Sequence, residues 1–185
     1  MKQILTLLFS LAIAVPSFSQ TYIDEDFSTF VNPVLPPFAS GWKNIDSIPN
    51  RMSDSIWRFD NPNLDFSGNP DPRTPSLPIA DPFAIADGDW HDDPWLDDAY
   101  LLSVNFDATN ATVVNLEFDH VFRPVTGSRG ELQIFDGTNW ITDTTFLVNT
   151  DPTLNDISKH EVINISQYVA GISNAQIRFR YVDPG

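Results

Sequence analysis

Apolar and polar residues alternate with period two along two stretches of the chain. In Val113 to Phe122, the residues Val114, Leu116, Phe118, His120 and Phe122 share one parity, and Asn115, Glu117 and Asp119 take the other. In Ala175 to Val182, Ile177, Phe179 and Tyr181 alternate with Gln176, Arg178 and Arg180. Successive side chains of a strand point to opposite faces, so each stretch predicts a strand with its apolar face inward. Glu131 to Phe135 and Trp140 to Ile141 flank Asp136-Gly137-Thr138-Asn139, a glycine-containing loop that predicts a hairpin. Further strands are expected at Tyr22 to Phe27, Phe83 to Ala86, Ala99 to Phe106 and Glu161 to Ile165. Ile165 to Ile172 has room for one helical turn and no more. Proline is scattered through the chain, which breaks helices and marks loops. Residues 60–82 hold six prolines among Asn, Asp and Ser. They read as a long surface loop and not as a linker, because neither flank alone has the strands for a core. About eight short strands joined by irregular loops predict an all-β fold, a two-sheet sandwich of jelly-roll type.

The first nineteen residues stand outside that pattern. Lys2 supplies a positive start, Ile4 to Val15 is an apolar run too short to span a bilayer as a helix, and Pro16 ends it. Ser17-Phe18-Ser19 is a small-x-small pattern, so residues 1–19 read as a signal peptide cut before Gln20. No cysteine follows, which excludes a lipoprotein signal. Residues 20–185 then form one domain, large enough for a sizeable core.

Charge changes the picture next. The chain carries a formal −15, and loss of Lys2 with the leader makes it −16. Such a surface disfavours nucleic acid and anionic membranes as partners and favours solubility and cation binding. There is no cysteine, so an exported chain of this size does without disulfides. Stability must come from the core, to which the many Phe and five Trp contribute, with or without a bound metal.

The densest charge lies between Asp87 and Asp98, which holds six aspartates and no lysine or arginine. Like charges this close either point separately into water or converge on a cation. The run leads straight into the strand-like Ala99 to Val104, a suitable place to fix an ion.

Over nearly the whole of residues 20–185 the chain resembles the secreted bacterial jelly-roll modules called cleaved-adhesin or choice-of-anchor domains, similar in plan to MAM domains. The residues that carry the resemblance are Asp24-Glu25-Asp26-Phe27, Gly41-Trp42, Trp57-Arg58-Phe59, Asp98-Ala99-Tyr100-Leu101-Leu102-Ser103, Leu116-Glu117-Phe118-Asp119-His120, Ile134-Phe135-Asp136-Gly137 with Trp140, and Ile165-Ser166-Gln167-Tyr168 followed by Ile177-Arg178-Phe179-Arg180-Tyr181. Their order and spacing carry the resemblance together, since each is short. The family continues into a strand with a Trp, an Ile and paired aspartates, whereas this chain stops at Asp183-Pro184-Gly185. The resemblance therefore implies a piece of a longer protein that lacks its last strand.

Three kinds of chemistry follow. Calcium takes six to eight oxygens, and the candidate ligands are Asp24 and Asp26, which are two apart and share a strand face, with Asp97 and Asp98. In the resembled family structural calcium sits where the first strand, this segment and the last strand meet. A solvated acidic loop is the competing reading, and Asp87-Gly88-Asp89 lacks the EF-hand pattern. Carbohydrate or protein recognition is the second chemistry. Trp90 and Trp95, with Asp89 and Asp92 beside them, pair rings that stack on sugar faces with carboxylates that bond hydroxyls. Packing of both rings beneath their own loop competes with it. Trp42, Trp57 and Trp140 read as core. Catalysis has the least support. His160-Glu161-Val162-Ile163-Asn164 lacks the second histidine of a zinc-protease helix and lies on a strand. Gly127-Ser128-Arg129-Gly130 is no nucleophile elbow. Glu117 and Asp119 share a strand face about 7 Å apart, which suits an inverting glycosidase pair and equally a solvated sheet. His120 reads as a core histidine, and nothing specific supports His91 as a ligand.

The sequence thus predicts a secreted or cell-surface, non-catalytic adhesion or binding module, stabilised by calcium, with an extracellular polysaccharide or protein as partner. The alternative is an ancillary domain of a larger secreted hydrolase, a peptidase or glycosidase, whose catalytic domain lies beyond Gly185.

Overall fold

The alternating stretches become strands of two facing sheets, one in each, in a computed structural model, which describes residues 19–27, 41–47, 57, 83–86, 97–124, 127–150 and 158–184. The order is β1 (Lys43–Asp46), β2 (Asp97–Leu102), β3 (Asn115–His120), β4 (Arg129–Phe135), β5 (Trp140–Phe146), β6 (Lys159–Asn164), α1 (Ser166–Val169) and β7 (Gln176–Asp183). Five strands make one sheet in the order β1-β2-β7-β4-β5, and β3 pairs with β6 in a second. Every strand pairing among the described residues is antiparallel. The chain is predominantly β, and the expected helical turn is the four residues of α1.

Parity decides the faces. On β7, Ile177 and Phe179 turn to the core, and on β4 Leu132 and Ile134 stand beside them in register. β2 adds Ala99 and Leu101. The second sheet brings Leu116 and Phe118 from β3 and Ile163 from β6, with Val114, Ile165 and Val169 at its end. Rings join the two sheets: the centroid of Phe118 lies 5.1 Å from that of Phe179 on β7 and 6.4 Å from that of Phe146 on β5. His120 follows the same parity inward, its ring 4.8 Å from Phe146 and its Nε2 3.5 Å from Glu161 Oε1. Burial pulls its pKa below the ordinary histidine value, against the opposing pull of Glu161.

The β4–β5 hairpin forms over the expected loop. Asp136 Oδ1 accepts from the backbone N–H of Asn139 at 2.7 Å and of Thr138 at 2.8 Å. Gly137 has φ +92°, and a side chain there would press on Asn174 and Ile172. A glycine is required on both counts.

The β2–β7 ladder is prolonged by a side chain. Ser103, 1% exposed, receives the N–H of Ile177 on its Oγ at 2.9 Å, while its own N–H donates to Ile177 O at 2.9 Å. Ser103→Ala leaves the buried Ile177 N–H without an acceptor. It should cost about 1–3 kcal/mol in urea unfolding, and an unchanged midpoint would show that water replaces the hydroxyl.

Three expected strands differ. Tyr22 to Phe27 forms no strand. It is held by its rings, with Tyr22 5.7 Å from Phe106 and Phe27 5.8 Å from Trp42. Phe27 itself has φ +59°, a left-handed turn that a strand excludes. Phe83 to Ala86 makes a single bridge and no strand. Ala99 to Phe106 ends as a strand at Leu102, and Phe106 makes an isolated bridge to Ala175. Conversely, β1 arises where the sequence pattern marked only a tryptophan. The expected signal peptide, except Ser19, and the expected surface loop at 60–82 lie outside the described residues.

Candidate binding face

The residues of the five-stranded sheet that alternate with the core ones carry a connected polar and aromatic face. Register places Tyr100 of β2 opposite Arg180 of β7, Arg180 opposite Glu131 of β4, and Arg178 opposite Gln133. Arg180 lies at the centre. Its Nε and Nη2 donate to Asp98 Oδ1 and Oδ2 at 2.7 and 2.8 Å, and its Nη1 donates to Glu131 Oε2 at 3.2 Å. Arg129 Nε donates to Glu131 Oε1 at 2.7 Å, and Gln133 Nε2 donates to Glu131 Oε2 at 2.6 Å. Burial alone would raise the Asp98 carboxyl, but the hydrogen bonds from Arg180 and Ser47 outweigh it and hold its pKa low. Glu131 behaves likewise: burial opposes ionisation, and Arg129 and Arg180 prevail. Arg180 is pushed up by its bonds to Asp98.

Beside this network Arg178 is fixed by other means. Its Nε donates to Gln133 Oε1 at 2.6 Å. Its guanidinium carbon lies 4.2 Å from the centroid of Tyr100 and 4.0 Å from that of Trp140, both cation–π distances. Trp140 is thus no core residue. It stands half-buried at the start of β5, with Phe135 5.3 Å away. Trp42 is in the core, and Trp57 packs against it while its Nε1 donates to Ala99 O at 3.3 Å.

Strand parity also separates the candidate metal ligands. Asp98 faces outward into the grip of Arg180, whereas Asp97 points to the other side, directly across from Asp183. Asp97 and Asp183 are 8% and 7% exposed, and Tyr181 donates its hydroxyl to Asp183 Oδ2 at 3.2 Å. Burial, with Asp183 beside it, raises the Tyr181 phenol far above its ordinary value. Asp24 and Asp26 are exposed on the strandless segment. Among the described residues no three His, Asp or Glu side chains converge as a metal group, so the structure does not assemble Asp24, Asp26, Asp97 and Asp98 into one calcium shell. Trp90, Trp95, Asp89 and Asp92 lie outside the described residues.

On the second sheet, Glu117 and Asp119 are exposed, and His160 of β6 bridges them: Nε2 is 3.2 Å from Glu117 Oε1 and Nδ1 is 3.0 Å from Asp119 Oδ1. The bond to Asp119, with the charge of Glu117 nearby, raises the His160 pKa. The imidazole occupies the space between the two carboxylates that a hydrolytic water would need.

Tyr100, Gln133, Trp140 and Arg178 were not singled out as site residues from sequence. The signal was present in the shared parity of Glu131, Gln133, Arg178 and Arg180, but the pairing that brings β2, β7, β4 and β5 side by side joins segments far apart between Asp97 and Asp183. No protein-family model, curated protein or solved structure matches this chain.

Proposed function

We propose that the chain is a secreted or cell-surface, non-catalytic binding module of jelly-roll plan that recognises an extracellular polysaccharide or protein. The observation that supports this reading is the outward face of the large sheet. There Tyr100, Trp140 and Arg178 are set on paired strands, with Gln133 and Thr142 beside them. Side chains on a hydrogen-bonded sheet, locked by their own contacts, form a preorganised surface, which limits the entropy lost on binding. The export-type leader and the net charge of −15 agree with an extracellular setting. A structural calcium belongs to the same reading. Its support is the resemblance and the register that sets Asp97 directly across from Asp183, two carboxylates that could both reach one ion.

Residues 20–185 applied to immobilised polysaccharides and matrix proteins, in calcium and in chelator, test the proposal. Saturable binding to one class is expected, weakened by Trp140→Ala or by Trp90→Ala with Trp95→Ala. No saturable binding anywhere in the panel would remove the reading. In the same two buffers the melting temperature should differ by several degrees, because a ligand bound only to the native state stabilises it. Equal melting temperatures at saturating calcium would sink the ion and leave the binding test untouched.

A further inference from the structure

Arg178 is held tightly at one end and open at the other. An arginine has five N–H donors in a planar fork. Here Nε donates to Gln133 Oε1 at 2.6 Å, and the guanidinium carbon lies over the rings of Tyr100 at 4.2 Å and Trp140 at 4.0 Å. Among the described residues no acceptor takes the N–H groups of Nη1 and Nη2. The nearby carboxylates are committed elsewhere, Asp98 to Arg180 and Glu131 to Arg180, Arg129 and Gln133. Burial lowers the Arg178 pKa from its ordinary value, against the weaker opposing pull of Tyr100, Asp98 and Glu131, so the cation is drawn partly out of water.

A guanidinium anchored between two rings, whose terminal nitrogens meet no acceptor among the described residues, fits a planar oxyanion that accepts two parallel hydrogen bonds. We propose that Arg178, clamped by Tyr100 and Trp140, anchors a binding site for the carboxylate groups of an acidic polysaccharide. The inference rests on the binding-module reading and names the ligand class for that face.

Charge supports a carboxylate ligand of modest charge density. Among the described residues of this network, Arg129, Arg178 and Arg180 stand beside Asp98 and Glu131, three cations against two anions, on a chain of net −15. A sulfated chain with several charges per sugar would be repelled more strongly by the molecule as a whole than a chain with a single carboxylate per sugar, which gains from the local excess. Sugar is favoured over peptide by what surrounds the fork. Thr142 already accepts from Gln133 Nε2 at 3.2 Å and keeps its own hydroxyl proton to donate, and both aromatic rings retain partial exposure. Uncharged hydroxyl donors and ring surface beside a carboxylate clamp match a sugar acid, with its ring of hydroxyls.

Calorimetric titration of residues 20–185 with polygalacturonate, its methyl-esterified form, a neutral glucan and polyglutamate tests the assignment. Saturable binding of polygalacturonate is expected, weakened at least tenfold by esterification and at least tenfold by Arg178→Lys, which keeps the charge and loses the fork. Polygalacturonate should also perturb the tryptophan emission of the native protein, and Trp140→Phe should abolish that change. This second readout decides the matter if Arg178→Lys folds poorly. Equal affinity for the esterified polymer would overturn the proposal. So would binding of polyglutamate alone, which would give the clamp to an acidic peptide. Binding of the neutral glucan that Arg178→Lys leaves unchanged would also overturn it while the binding-module reading stands. No binding to any polymer would overturn it as well.

Discussion

Arg180→Met should lower the unfolding free energy by about 3 kcal/mol at neutral pH, the lower end of the range for removing one partner of a buried ion pair. The substitution keeps most of the side-chain volume on β7 and removes the charge. Asp98 then loses both bonds of a bidentate grip, at 2.7 and 2.8 Å, and Glu131 loses one of its two arginines. The Glu131 side chain is only 9% exposed, so water cannot fully replace what Arg180 supplied. Arg180 and Asp98 are about a fifth exposed, which keeps the cost away from the upper end of that range. The pH dependence has a definite sign. Asp98 and Glu131 both have pKa values depressed in the folded protein. Their contribution is therefore complete above the unfolded carboxylate pKa, about 4, and is lost as pH falls through the lower folded values. The variant has lost the part of that depression which Arg180 supplies, so its acid unfolding should begin at higher pH. The gap between the two proteins should narrow towards pH 3, where the carboxyls no longer need a cation. Urea unfolding at pH 7 and pH 3 measures both quantities. An undiminished gap at pH 3 would mean that Arg180 acts by packing over Tyr100, whose ring centroid is 5.3 Å away, and not by charge. Adding Asp98→Asn and Glu131→Gln to Arg180→Met should recover part of the loss, since the stranded anions are then gone.

The strands with a clean period of two were legible in the sequence, and so were their faces. β3, β7 and the β4–β5 hairpin form with the predicted residues inward, because Leu116, Phe118, Ile177 and Phe179 have nowhere to go but the core. The segment at Tyr22 to Phe27 shows where pattern reading ends. Its alternation is too short to specify pairing, and aromatic contacts to Phe106 and Trp42 settle it without a ladder. The candidate site was less legible for a related reason. Asp97 and Asp98 were paired by adjacency in sequence, yet adjacency on a strand guarantees opposite faces. Trp140 was assigned to the core from its apolar neighbours. Its orientation depends on Arg178, which lies 38 positions further along and becomes a neighbour only through the β4–β7 pairing. Long-range register is the quantity a single sequence carries most weakly.

Leu132→Ala should cost about 3–4 kcal/mol and lower the melting temperature by on the order of 10 °C. Leu132 is 0% exposed at the middle of β4, with Phe179 of β7 and Thr144 of β5 on its flanks in register. It belongs to the cluster that includes Leu101, Ile134, Val114 and Ile165, so removing its isobutyl group opens a cavity walled by both sheets. Strand backbones on both sides are hydrogen-bonded and cannot close in on the void, which keeps the penalty above the simple transfer cost of the lost methyl groups. Val162→Ala is the matched control. Val162 lies on β6 with 58% of its surface exposed and should change stability by no more than about 0.5 kcal/mol. The contrast tests the sandwich itself. Leu132 is wholly buried only if β3, β6 and α1 cover the face of the five-stranded sheet. If the small sheet instead stood apart, Leu132 would lie on a half-open surface, and its truncation would cost little more than that of Val162. Thermal unfolding of the two variants beside the parent protein distinguishes these cases. Similar small losses in both would remove the facing arrangement of the sheets, and with it the rigidity that holds Tyr100, Arg178 and Trp140 in place on the outer side.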